Sequence, residues 1–133
     1  MRNAVARRRK GYEHEVEIRE HRLTVDETEE DGGADAGPRP TELLAAALAS
    51  CTAITIEMYA GRKEWDLGDV EVSVDYGTPS ADTPPKLSTT IKVSAQLSDE
   101  QRERILVIAG KCPVHRTLTA EHVHIEDDLQ AAA

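Results

Sequence analysis

The sequence predicts an α+β domain, with helices laid against an antiparallel sheet. Three observations carry that prediction. Four stretches alternate between apolar and polar residues with the period of a strand. One long stretch, GPRPTELLAAALASCTAITIEMYAG over 37–61, is a run of good helix formers closed by prolines in front and a glycine behind. A second helical stretch opens on Ser98 with Gln101 three positions later, the signature of a capping box. In chain order the elements read ββ–α–ββ–α–α–β.

The long helix organises the rest. Pro40 has a φ suited to a first turn, although it can equally precede the cap. Thr41 is a plausible N-cap, and Glu42 puts a negative charge in the first turn, where the helix dipole favours it. A helix of about twenty residues is expected, apolar on nearly every side and therefore buried on nearly every side. Cys51 sits at its middle and shares a face with Leu44, Ala47, Leu48, Ile54, Thr55 and Met58. A free cysteine in such a place often behaves simply as a small hydrophobe.

The second cysteine, Cys112, lies in KCPVHRTL over 111–118. Pro113 suits the first turn of a helix, which places Cys112 at or just before its N-terminus. Lys111, His115 and Arg116 add positive charge, so local chemistry gives Cys112 an electropositive setting and Cys51 an apolar one.

The remaining elements follow in order. Tyr12 to Ile18 and His21 to Asp26 alternate and read as a hairpin turning at Arg19-Glu20. Residues 27–37 form an acidic, glycine-containing loop into the long helix, which Gly61 ends. Residues 69–76 and 86–97 are strands on either side of a loop with three prolines. Ser98 opens a helix whose inward residues are Ile105, Leu106, Ile108 and Ala109, and Gly110 stops it. A short helix begins beside Cys112. His122 to Glu126 is a last strand with Val123 and Ile125 facing in, and residues 127–133 are a frayed tail.

A chain of 133 residues makes one domain with one core, here set at 12–133. With no Phe and one Trp, that core must come from Leu, Ile, Val and Ala. No run of eighteen apolar residues exists and no secretory signal follows the start, so a cytoplasmic protein without a membrane partner is expected. Two cysteines in that compartment are more often reactive than structural. Residues 1–11 form a basic N-terminal arm, read as a solvated tail or as folding over an acidic neighbour. Residues 11–133 hold eleven Lys and Arg against twenty-five Asp and Glu, a net −14 that repels nucleic acid and anionic membranes. Cys112-x-x-His115 with His122 and His124 is a weak zinc signature beside the four-ligand sets of structural zinc, and no metal or other cofactor is expected.

The residues Gly37-Pro38-Arg39-Pro40-Thr41-Glu42-Leu43-Leu44, then Ala49-Ser50-Cys51-Thr52-Ala53, then Cys112-Pro113-Val114-His115-Arg116-Thr117-Leu118 about sixty positions on, resemble the OsmC/Ohr family of osmotically inducible and organic-hydroperoxide-resistance proteins, and its OsmC-like branch most. The resemblance covers residues 12–127. It implies an OsmC-like fold, in which an intertwined homodimer packs its two long helices together and holds the reactive cysteines near the subunit interface. It also implies a chemistry. Cys51 attacks a hydroperoxide and becomes a sulfenic acid, Cys112 resolves it to a disulfide, and a dithiol reductant reopens that bond. An apolar setting for Cys51 favours organic hydroperoxides.

The peroxidase branches hold an Arg against the thiolate through a Glu that directly follows a Pro at the start of the long helix. The Pro matches Pro40, but the next position is Thr41. Glu42 lies one further on, nine residues before Cys51, which is roughly 14 Å along a helix and about 180° around it. Glu42 is therefore either the catalytic carboxylate or a first-turn dipole partner. Arg19, Arg22 and Arg39 are the candidate cations. Two functions stay open: a thiol-dependent reductase of organic hydroperoxides, and a non-enzymatic OsmC-like protein that binds an apolar ligand or senses oxidants through the same pair.

Overall fold

The computed structural model describes residues 3–131; Arg2 of the basic segment and Ala132-Ala133 of the tail lie outside them. The elements are β1 (Ala4–Lys10), β2 (Glu13–Ile18), β3 (His21–Val25), a single 3-10 turn (Glu29–Asp31), α1 (Pro40–Arg62), β4 (Val70–Gly77), β5 (Lys86–Val93), α2 (Asp99–Ala109) and α3 (Pro113–Leu118). They form an α+β fold with one long helix. The chain divides into two compact units. One holds the residues up to Ala47 with Ser73–Thr90, the other Leu48–Val72 with the residues from Ile91 on. The elements α1, β4 and β5 each run from one to the other.

In the first unit, β1, β2 and β3 pair as an antiparallel sheet in that order. Residues 4–10, expected as an arm outside the folded domain, are thus an edge strand. Register explains why a basic strand pairs so readily. Arg7 stands opposite Glu15 and Val5 opposite Glu17 on β2, which in turn face Thr24 and Arg22 on β3. One face therefore carries Glu15 and Glu17 on the middle strand, flanked by Arg7 on β1 and Arg22 on β3. Arg9 bonds Glu15 at 2.6 Å and Glu13 at 3.4 Å, Arg7 meets Glu17 at 3.5 Å, and Arg22 reaches Glu15 at 3.6 Å and Glu17 at 3.5 Å. The other face, by the same period of two, presents Ala6, Val16 and Leu23 in one row. Ala6 and Val16, with Tyr12, Val25, Pro40 and Leu43 and the polar His14, Asp26 and Glu27, line a mostly apolar hollow of about 510 Å³.

Asp26 organises the acidic loop that follows. It is buried, and its carboxylate accepts hydrogen bonds from the N–H groups of Glu27 (2.7 Å), Ala34 (3.1 Å) and Ala36 (3.2 Å). Those bonds, Glu27 first, hold its carboxyl below the usual carboxylate range; burial opposes them, and nearby His14 adds a smaller push in the same direction. Gly37 closes the loop, because any Cβ there would collide with the Thr24 carbonyl.

Helix α1 begins two residues earlier than Thr41 as N-cap would require. Pro40 is its first residue, and the Leu43 N–H donates to the Arg39 carbonyl at 3.1 Å, so Arg39 holds the cap position. Glu42 Oε1 accepts the Arg39 N–H at 2.9 Å, which is the carboxylate half of a capping box. The helix also runs through Gly61 and ends at Arg62. Glu64 takes the left-handed conformation (φ 58°), and the Trp65 N–H returns to the Ala60 carbonyl at 2.8 Å. A Schellman-type turn, not Gly61, supplies the stop.

The second unit holds the main core: Ile56, Ala60, Leu67, Ile105 and Ile108, with Tyr59, Trp65, Val70, Ile91, Val93 and Leu97 packed around it. On α1 only Leu48, Thr52, Ile56 and Ala60 are buried, a single stripe four residues apart. The expectation of burial all round is corrected: Ile54 is 53% and Met58 63% exposed. The helix is apolar enough for this to matter. Its richest eighteen residues average a hydropathy of 1.6, which by length and composition would suffice to cross a membrane even without an unbroken apolar run.

Helix α2 has the expected capping box, with Gln101 N donating to Ser98 Oγ at 3.1 Å and Ser98 N to Gln101 Oε1 at 3.0 Å. Ile105 and Ile108 face inward as expected, but Leu106 is 67% exposed. Strand β5 stops at Val93 rather than at Leu97; beyond it the chain stays tied to the segment before β4, with the Ser94 N–H on the Asp69 carbonyl at 3.0 Å, the Ala95 N–H on the Leu67 carbonyl at 3.1 Å, and Ser94 Oγ accepting the Asp69 N–H at 2.7 Å. The strand expected at His122–Glu126 does not form. Val123 and Ile125 are exposed, and no neighbouring edge pairs with them among the described residues. Alternation marks a residue pattern that suits a strand, but a strand also needs an edge to pair with.

Candidate active site

The two cysteines meet. Cys51, from the interior of α1, and Cys112, from the cap of α3, form a disulfide with Cα atoms 5.8 Å apart, inside the range such a bridge requires. Local structure explains how residues so distant in sequence arrive together. Ile105 and Ile108 fix α2 in the core, and only Gly110 and Lys111 separate its last residue from Cys112. The Lys111 N–H donates to the Ile108 carbonyl at 2.9 Å and the Cys112 N–H to that of Ala109 at 3.3 Å, so the chain turns tightly off the end of α2. Pro113 then starts α3, as the Cys-Pro pair predicts.

Cys112 occupies the N-cap position itself, and its Sγ accepts the His115 N–H at 3.4 Å. This hydrogen bond was not foreseen, although the signal was present: a polarisable atom directly before a proline that opens a helix is placed to accept a first-turn amide. The exposures of the two cysteines run opposite to expectation. Cys112 is 0% exposed, whereas Cys51 keeps part of its surface. The reason lies in the side that α1 buries. Cys51 flanks the stripe of Leu48 and Thr52, and the apolar residues it shares a face with, Ile54 and Met58, stay open. Of the apolar setting expected around Cys51, Leu48 is buried while Leu44 and Met58 are exposed.

The bases beside Cys112 also differ from expectation. Lys111 and Arg116 are exposed, and only His115 is partly covered, its Nδ1 shielded from water without a hydrogen-bond partner. Each cation proposed for Cys51 is already engaged. Arg19 pairs with Glu20 at 3.5 Å, Arg22 with Glu15 and Glu17, and Arg39 with Glu27 and Asp31, both at 3.1 Å. The partners of Arg39 come from the acidic loop that precedes it. Glu42 is placed at the helix start, bonded to the Arg39 amide. Among the described residues no cluster of three His, Cys, Asp or Glu side chains is set to hold a metal ion.

Chemically, the arrangement is a disulfide between one partly exposed and one buried cysteine. The profile of the family described as OsmC-like protein matches residues 32–126, which include both cysteines. An uncharacterized protein of Haloferax volcanii is 31% identical over 112 residues, spanning 82% of this chain and 75% of that one. Among solved structures, an OsmC like protein from Mycoplasma pneumoniae superposes with a TM-score of 0.77 at 18% identity, covering 91% of this chain and 89% of that one. An organic hydroperoxide resistance protein OsmC from Legionella pneumophila gives 0.66 at 21% identity, covering 88% and 89%. At those identities the structural matches speak for the fold, and the family match speaks for descent: the chain belongs to the OsmC/Ohr family of OsmC-like proteins.

Proposed function

We propose that the protein is a thiol-dependent reductase of organic hydroperoxides working through Cys51 and Cys112. The observation that carries this reading is the disulfide between the only two cysteines of the chain. Names of fold relatives such as the Legionella protein point the same way. In the forward step the Cys51 thiolate attacks one oxygen of R–O–O–H. An S–O bond forms, the O–O bond breaks, and the alkoxide leaves as ROH after taking a proton. The Cys112 thiolate then attacks the sulfenic sulfur, the S–O bond breaks as the disulfide forms, and the hydroxide leaves as water after taking a proton. A dithiol supplies two electrons to reopen it, as cytoplasmic reductants do. The attacking role falls to Cys51 because that residue keeps part of its surface where Cys112 keeps none, and because its neighbours on α1 are apolar.

A homodimer belongs to the same reading. The support is the apolar side of α1 that the chain itself leaves uncovered, which a second copy of the helix would bury. Sedimentation at micromolar concentration tests this, and a stable folded monomer sinks it.

One observation favours the second function, an oxidant sensor or apolar-ligand binder at the same pair. Arg19, Arg22 and Arg39 all hold carboxylates, so activating Cys51 requires one of them to exchange its partner. Glu42, with its oxygen on the Arg39 amide, supports the helix start in either case. Consumption of cumene hydroperoxide in the presence of dithiothreitol decides. Multiple turnovers support the reductase; a single equivalent consumed per pair, without turnover, supports the sensor.

A further inference from the structure

We propose that His115 is the proton acceptor for Cys112: once the disulfide is open, imidazole Nδ1 takes the proton of the Cys112 thiol and so supplies the thiolate that the resolving step requires. This assignment rests on the reading of the pair as a redox couple and names the base that serves its second cysteine.

The starting point is an unmet hydrogen bond. Among the described residues, His115 Nδ1 is the one buried side-chain nitrogen or oxygen without a partner. Buried polar atoms are nearly always satisfied, so such an atom calls for a reason. Capping does not supply one. His115 is the third residue of the turn that Cys112 caps, and a polar side chain there typically reaches back to accept the cap residue's N–H. The Cys112 N–H is already on the Ala109 carbonyl at 3.3 Å. The main chain of His115 is fully used as well. Its N–H donates to Cys112 Sγ at 3.4 Å, and its carbonyl accepts the Thr119 N–H at 3.0 Å and the Thr119 hydroxyl at 2.7 Å. Only the ring nitrogen is left over. Orphaned buried N–H groups are the rarer kind, so the ring proton belongs on Nε2, and Nδ1 offers a lone pair.

The thiol has the opposite need. Cys112 is 0% exposed. In the disulfide its sulfur carries no proton; reduced, it carries one, and burial disfavours the thiolate. Resolving attack needs that thiolate, so a base must act inside the cover. Lys111 and Arg116 are exposed, and ammonium and guanidinium groups have no lone pair to offer. Helical side chains lean toward the N-terminus of their helix, which turns His115 toward the cap. The donor that appears on reduction and the acceptor without a donor thus belong to one turn of one helix. Their cover is the chain's own. An atom that water cannot touch in one chain is out of reach of a partner's side chain too, so a second copy on α1 leaves both groups as they are.

The step balances. The proton passes from Cys112 Sγ to His115 Nδ1, giving thiolate beside imidazolium. The sulfur's electron pair forms the bond to Cys51 Sγ as the S–O bond of the sulfenic acid breaks and hydroxide departs. The imidazolium gives up one proton, hydroxide gains one, and water is released with the base restored.

The test observes the ring nitrogens directly. The full chain is isotope-labelled at its histidine nitrogens, and NMR shifts are recorded at neutral pH for the oxidised protein and after reduction with excess dithiothreitol. These shifts separate a bare ring nitrogen from one that holds or shares a proton, and the His115 signals are those missing from His115→Asn. The expected result is a bare Nδ1 in the oxidised protein that moves toward the protonated position on reduction, and stays bare in reduced Cys112→Ala. An Nδ1 already protonated when oxidised, unmoved by reduction, or moved equally in Cys112→Ala overturns the proposal. Kinetics give a second reading. His115→Asn keeps the amide on Cys112 Sγ and a polar side chain, but no base. With one equivalent of cumene hydroperoxide it should form the sulfenic acid at the parent's rate and close the disulfide roughly a hundredfold more slowly, the scale of one general base. Dimedone then traps far more sulfenic acid than in the parent; an equal closure rate overturns the proposal. If the Asn variant does not fold, the wild-type spectra, with Cys112→Ala as control, still decide. If the parent consumes no hydroperoxide, the reductase reading falls and the spectra still test the proton transfer. If turnover proceeds and Nδ1 ignores reduction, only the role of His115 falls.

Discussion

The sheet β1–β2–β3 and the disulfide-bearing part built on α1, α2 and α3 are held by opposite means. The sheet writes its charges on a solvent-facing surface, where Arg7, Arg9 and Arg22 bracket Glu15 and Glu17, and its loop turns about the buried carboxylate of Asp26. The other part packs aliphatic residues and ties Cys51 to Cys112. The first should respond to pH and salt and ignore redox state. The second should do the reverse. The difference teaches where a switch can sit: ion pairs in water are individually weak and exchangeable, whereas one covalent bond across a long loop changes stability in a single step.

The largest expected effect is on chemistry. Cys51→Ser should abolish hydroperoxide consumption, while Cys112→Ser should consume one equivalent and leave a sulfenic acid that dimedone traps. If the Cys112 variant consumes none and the Cys51 variant consumes one, the roles are exchanged.

Next comes the bond itself. A bridge between residues 61 apart stabilises the folded chain by up to about 4 kcal/mol on chain-entropy grounds. Urea unfolding of oxidised and reduced protein measures it. Equal midpoints in the two states would falsify the contrast drawn above.

The sheet unit is probed by acid. Asp26 has a folded pKa below its ordinary value, so the stability it contributes is present above that ordinary value, near pH 4, and is lost as pH falls through the folded one. Asp26→Asn should lower the urea midpoint at pH 7 and flatten the decline of stability between neutral pH and acid. A variant as acid-sensitive as the parent shows that other carboxylates carry the decline. The change should be the same with the disulfide open or closed.

Smaller effects sharpen the same division. Ser98→Ala removes half of the α2 capping box at a cost of about 1 kcal/mol, in salt or without it. Arg9→Ala should have the smallest effect, visible at low ionic strength and fading in high salt. Arg9 is the main influence holding Glu15 below the ordinary carboxylate range, ahead of the more distant Arg22 and Arg7, and this pairing lies at the surface. An Arg9 effect that survives molar salt would mean that packing, not charge, is what the strand contributes.

Much was legible in the sequence because it depends on neighbours a few positions away. Alternation marked β2, β3, β4 and all of β5, overrunning its end by four residues; helix formers marked α1, and Ser98 with Gln101 marked the start of α2. Cys112 before Pro113 marked the start of α3, and the two cysteine motifs marked the family. These are local rules of backbone sterics, capping and side-chain period, and they hold wherever the segment finally packs. What tertiary structure decided was everything that needs a partner from far along the chain. The basic residues 4–10 became a strand because Glu15 and Glu17 waited in register across from them. Residues 122–126, equally suited by pattern, stayed unpaired because no edge met them. Helix α1 reads as apolar all round, and only packing chose which stripe to bury, leaving Ile54 and Met58 open beside Cys51. The same choice enclosed Cys112 and opened Cys51, although local composition argued for the reverse. Exposure is a property of what the rest of the chain covers, so it is settled only when distant segments have found their places.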